Sequence, residues 1–268
     1  MPDNKLGERG IQNIKALARE KLAEYHKFND VIGAQIFSIL EKESKVLYYP
    51  LEDQRVWGFF ETIKGKSFVC INTSLQYDKQ VFAAAHELYH LWFGSAGEVI
   101  TSKDTVEPDT DEEIELHANR FAAEFLVDED LLFQEMRILE INKGNLNAKE
   151  VVRLANHFVV PYHSMVKRLF ESGTCSQELA EELTSCSEEQ AEIWRSRLGI
   201  SLPVRKEKIG LSDLVDVAME LYEDGLITFE KLEHLLGFSE LTPNKMGVEQ
   251  IISYTPPTDD ELDAILEE

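Results

Sequence analysis

His86, Glu87 and His90 are the residues of this 268-residue chain whose types and spacing most clearly carry chemistry. They belong to the pentad His86-Glu87-Leu88-Tyr89-His90, an HExxH pattern. On a helix, side chains four apart share a face with Cβ atoms about 5–6 Å apart, so two imidazoles at that spacing can grip one ion. Glu87 projects about 100° around the axis from His86, beside the ion rather than behind it. That is the geometry of a zinc hydrolase whose glutamate serves as general base toward a metal-activated water. The surrounding run VFAAAHELYHLWF (81–93) is apolar almost all round, which places the pentad in the interior. Buried histidines and a buried carboxylate need partners, and a metal supplies one for all three.

A catalytic zinc ion takes three protein ligands and a water. The HExxHxxGxxH class is excluded, because Phe93 and Ala96 stand where its glycine and third histidine would be. The third ligand must then come from a later helix, and the segment Asp111–Val127 offers Glu113, Glu115, His117 and Glu124. Thr110-Asp-Glu-Glu113 has the form of a capping box, which assigns Glu113 to the first turn. Leu116, Phe121, Ala122, Phe125 and Leu126 set the inner face of this helix, and Glu115 lies on its side, one turn before Asn119. Helix geometry and the commonness of His₂Glu hydrolytic sites favour Glu115 as the ligand. His117 is the rival; it lies about 200° round the helix from Glu115, so the two cannot easily share an ion. Asn119 is suited to stand behind a zinc-binding histidine and orient its second ring nitrogen. A second electrophile should steady the oxyanion, with His117, Tyr89 and His163 as candidates.

The elements that must hold these residues can be read from the periodicity. Apolar positions at helical spacing predict helices over 8–26 and 29–42. β-prone runs follow at 45–49, 55–62 and 67–72, with a turn at Ile63-Lys64-Gly65-Lys66. They predict a small, mainly antiparallel sheet just before the HExxH helix. Gly94 and Gly97 end that helix, and 98–109 reads as a loop. Beyond 111–127 the pattern predicts helices at 129–141, 147–158, 162–172, 176–198, 211–224 and 228–236. The expected class is α+β, mostly helical overall. The expected organisation is a metallopeptidase domain at 1–172, carrying the N-terminal helices, and a helical region at 173–268. In the latter, 211–239 resembles a helix-turn-helix hairpin turning at Gly225.

The formal net charge is −23. Twelve carboxylates face only Lys103 and Arg120 between Glu98 and Asp130, and six more lie between Asp259 and Glu268. Such a surface repels phosphate backbones, which disfavours direct nucleic-acid binding and suits a basic partner. Cys70, Cys175 and Cys186 are odd in number and widely spaced, arguing against a disulfide framework or a Cys₄ zinc site. No apolar run is long enough to cross a membrane, and the N-terminus lacks the apolar core of a signal peptide, so a cytoplasmic protein is expected.

The segment INTSLQYDKQVFAAAHELYHLWFG (71–94), followed by EIELHANRFAAEFLVDED (113–130), resembles the ImmA/IrrE family of metallo-endopeptidases. YYPLED (48–53) and LANHFVVPYHSMVKRL (154–169) are similar to further family segments, so the resemblance covers about 28–172. It implies a zincin-like core with a helical lobe, a zinc ion whose third ligand maps to Glu115, and proteolysis of a helix-turn-helix transcriptional repressor encoded nearby. The chain departs from the pattern at Tyr89, which replaces the usual glycine, at His117, where an acidic residue is frequent, and at Val127-Asp128, which replaces Met-Pro. None of these removes a ligand. The competing expectation is a zinc-containing regulatory protein that sequesters its partner without cutting it.

Overall fold

The computed structural model describes residues 6–63, 66–93, 99–101, 111–202, 210–211 and 213–248. The chain divides into two compact units, Met1–Ser212 and Asp213–Glu268. The first opens with α1 (Glu8–Glu24), whose Ile14, Ala18 and Leu22 repeat at four-residue spacing and are buried. A short 3₁₀ turn leads into α2 (Ile36–Glu43), shorter than the expected 29–42 helix, with Ile36, Phe37, Ile39 and Leu40 inward. Three strands follow, β1 (Lys45–Tyr49), β2 (Val56–Ile63) and β3 (Lys66–Asn72), and then α3 (Tyr77–Phe93), which carries the HExxH pentad. Next come β4 (Val99–Thr101), α4 (Asp111–Leu126), α5 (Glu129–Ile138), α6 (Ala148–Phe158), α7 (Tyr162–Glu171), α8 (Gln177–Thr184), α9 (Glu188–Arg197) and β5 (Gly210–Leu211). The unit is thus mostly helical with one small sheet, an α+β arrangement as expected.

The sheet is mainly antiparallel, as expected, with one parallel pairing that makes it mixed. Its order is β4-β2-β3-β1-β5, and the central β1–β3 pairing is parallel, while β2–β3, β2–β4 and β1–β5 are antiparallel. The cause lies in the connection at 50–55. β2 and β3 form a hairpin whose β2 edge is taken by β4, and the connection carries β1 to the other side, beside β3 and running in the same direction. Asn72 fastens this crossover: its Nδ2 donates to Val56 O at 2.7 Å and its Oδ1 accepts from the Leu51 and Ser74 amides at 3.0 Å each. Buried and at the end of β3, it ties three chain segments together immediately before α3.

α3 lies between this sheet and α4, and α4 lies against α1. A salt-bridge cluster closes the α1 side, with Arg19 on Asp128 at 3.1 Å and Lys15 on Glu129. The C-terminal end of α4 is fixed from inside by Arg168 of α7, which donates to Val127 O at 2.8 Å and meets Glu124 at 2.5 Å. The expected single helix at 176–198 is in fact two. Ser187 caps α9 with a full capping box to Gln190, so the chain breaks at 185–187. The second of these helices then folds back on α3: Arg195 meets buried Asp78 at 2.7 Å, and Lys79 meets Glu188 at 2.8 Å.

That return corrects the expected domain boundary. Residues 173–202 pack with the first unit, and the division falls between Ser212 and Asp213 rather than after 172. The second unit contains α10 (Leu214–Glu223) and α11 (Phe229–Gly237), turning at Gly225 (φ 69°) around Ala218, Leu232 and Leu236. The expected capping box at Thr110 and the acidic tail at 259–268 lie outside the described residues.

Candidate metal centre

The two histidines of α3 and Glu115 of α4 meet where the two helices pack together. His86 Nε2 and His90 Nε2 are 2.9 Å apart, and each lies 3.3 Å from a different oxygen of Glu115. All three ligand atoms fall within 4.8 Å of one another, and among the described residues no other group of His, Cys, Asp or Glu side chains converges in this way. A tetrahedral ion with bonds of about 2.0–2.1 Å spaces its ligand atoms about 3.3–3.4 Å apart, so the set has the dimensions of a metal site.

The electrostatics agree. His86 is almost wholly enclosed, and burial pulls its pKa down, favouring the neutral ring against the pull of Glu115. Its Nδ1 lies 3.1 Å from Asn119 Oδ1, which can only accept, so the proton sits on Nδ1 and the Nε2 lone pair points at the cluster. Burial would raise the Glu115 carboxyl, but the two imidazoles more than offset it and hold it at about 2. Two imidazole nitrogens and an ionised carboxylate aimed at one point are an arrangement that a cation completes.

Glu87 is fully buried and lies on the sheet side of the cluster. Its Oε1 is 3.1 Å from where a side chain on Gly58 of β2 would begin, and its charge helps push the enclosed Cys70 thiol up to about 12, after burial itself. Tyr89 turns the other way, about 200° round α3 from Glu87. Its ring meets Phe121 at 5.6 Å, and its hydroxyl is hydrogen bonded to His117 Nδ1 at 3.3 Å. Tyr89 therefore ties α3 to α4 at the flank of the cluster. The structure brings Glu115, and not His117, to the two histidines. His163 is not at the cluster: its charged neighbours are Glu188 and Lys79, near the start of α3. Lys79 precedes His86 by seven residues, about 10 Å along the helix.

A sequence profile of the M78 peptidases, the IrrE N-terminal-like domain, matches residues 41–170. Residues 41–170 belong to the ImmA/IrrE family of metallopeptidases. Comparison with curated proteins returned no match. The ImmA/IrrE span holds β1 to β3 and α3 to α7, and with them every side chain of the cluster, so the metal that a metallopeptidase needs has a set of residues able to hold it. Two contributors were not singled out by the sequence. Asn72 sits in the family-like segment but reveals its role only once the crossover is seen. Gly58 could have been noticed as a glycine inside a strand, a common mark of a bulge or a close backbone approach.

Proposed function

We propose that this protein is a zinc-dependent endopeptidase that cuts a regulatory protein, a helix-turn-helix transcriptional repressor, in the cytoplasm. The observation that carries the reading is the convergence of His86, His90 and Glu115 beside a buried glutamate in an ImmA/IrrE-family domain. A divalent ion there would supply Lewis acidity, lowering the pKa of water and polarising a peptide carbonyl. Asn119 holds His86 in the tautomer that presents Nε2. Glu87 takes the proton from the attacking water on its carboxylate and passes it to the leaving amine. The enclosure of Glu87 keeps bulk water from competing for that proton.

Zinc is favoured over other divalent ions by the mixed nitrogen and oxygen donor set and by the near-tetrahedral spacing. The acidic surface suits a basic protein substrate. Among the described residues no helix is long and apolar enough to cross a membrane. The test is coincubation with the helix-turn-helix repressor encoded beside the gene, with chelator and with zinc restored. Loss of intact repressor only when metal is present supports the peptidase; survival of the repressor in a stable complex supports sequestration instead.

A further inference from the structure

We propose that Gly58 is a positioning residue for Glu87: by lacking a side chain at a bulge in β2, it leaves the seat in which the general base is held beside the metal ligands. The inference rests on the reading of Glu87 as the base.

The bulge is visible in the pairing of β2 with β4. Val56 is opposite Thr101 and Phe59 is opposite Val99, three steps along β2 against two along β4. Trp57 and Gly58 occupy the extra length. Bulges re-aim side chains and recur next to active sites. Here the two residues do different work. Trp57 meets Phe82 of α3 edge-on at 6.2 Å, with the Lys79 ammonium 5.8 Å from its ring, so it anchors the bulge against the helix before Glu87. Gly58 provides room. A Cβ there would lie 3.1 Å from Glu87 Oε1, 3.5 Å from Glu87 Cγ and 2.9 Å from the Cys70 carbonyl oxygen. Ordinary Cβ contacts begin at 3.4 Å. Gly58 does not adopt a positive φ, so its backbone conformation does not call for glycine; the approach of Glu87 and of β3 does. The carboxylate of the base is thus packed directly on the main chain of the sheet, which limits its rotamers from one side, while α3 fixes its root from the other.

The consequence is a split between holding metal and placing the base. Of the three atoms nearest to an added Cβ at Gly58, two belong to Glu87 and none to His86, His90 or Glu115. The full-length wild type, G58A, E87Q and G58A/E87Q proteins would each be loaded with Co²⁺, and their metal affinities and visible spectra recorded. The affinity of G58A should change by less than the roughly 10-fold that losing a ligand-supporting contact costs. Its visible band should move toward that of E87Q, and G58A/E87Q should superpose on E87Q. A wild-type band in G58A overturns the inference, as does an equal further shift when G58A is added to E87Q. A wild-type band in E87Q itself also overturns the inference, because Glu87 then does not reach the surroundings of the metal; whether Glu87 is the base is read separately, from cleavage by E87Q. Because the Cys70 carbonyl also crowds the added methyl, G58A could fail to fold; E87D then probes the same seat by withdrawing the carboxylate from it. Its band should move toward that of E87Q, and a wild-type band in E87D overturns the inference.

Discussion

Asn119→Ala is the sharpest perturbation of the cluster that leaves its three ligand side chains intact. Asn119 Oδ1 lies 3.1 Å from His86 Nδ1, and His86 is 1% exposed, so water cannot easily replace the lost acceptor. An N–H buried without a partner costs about 1–3 kcal/mol. Removing the group behind a metal-binding histidine lowers metal affinity by about 10–100-fold, or about 1.4–2.8 kcal/mol. The two figures describe one loss seen from two sides, and they agree. Competition against a chromophoric chelator at fixed pH reads it directly. N119A should weaken zinc by about one to two decades, and N119D, which restores an acceptor, should recover most of it. E115A, which removes an oxygen donor outright, should lose more than either. If N119A binds zinc as tightly as wild type, Nδ1 does not need this acceptor and the assigned tautomer is wrong.

Four further outcomes follow from the packing and the charges. R168A removes the buried contact on Glu124 and the bond to Val127 O but leaves Glu124 its Arg120 partner at 2.5 Å, so urea unfolding should show a loss of about 1–3 kcal/mol; an unchanged midpoint would deny the Arg168 contacts any weight. S187A removes the capping box that starts α9 and should cost about 1 kcal/mol by the same assay, and an unchanged midpoint would deny the cap any weight. In chelator-treated protein the Glu115 carboxyl lies at about 2 against an ordinary 4.5, so its stabilisation is complete above pH 4.5 and lost as pH falls toward 2. E115Q should therefore flatten the stability profile across that window, and parallel profiles would contradict the shift. Finally, Cys70, Cys175 and Cys186 are all buried, so a thiol reagent should react slowly with native protein and titrate three thiols only after denaturation.

What the sequence made legible was local. HExxH declares itself because helical geometry brings residues four apart together, and the same rule relates Glu115 to Asn119 on the next ligand-bearing helix. The choice of Glu115 over His117 drew on the inner face of that helix and on the commonness of His₂Glu hydrolytic sites, the angle between the two residues showing only that they cannot easily share an ion. Features set by distant partners were not readable in this way. The parallel β1–β3 pairing depends on which side of the β2–β3 hairpin the chain enters, and Asn72 clamps both ends of the single connection, Leu51 to Val56, that makes the choice. The placement of α9 against the first unit depends on Arg195 meeting Asp78, 117 residues earlier. The break between α8 and α9 is an intermediate case: Ser187 and Gln190 spell a capping box, but continuous helical periodicity on both sides hid it. Gly58 belongs to the same group as Arg195, because a glycine in a strand says that something comes close without saying what.

The most direct test of the proposed chemistry is to measure zinc content and repressor cleavage together in wild type and E87Q. The expected result is one zinc per chain in both proteins, with cleavage only in wild type, since His86, His90 and Glu115 are untouched while the proton acceptor is gone. Cleavage by zinc-loaded E87Q at the wild-type rate would contradict it.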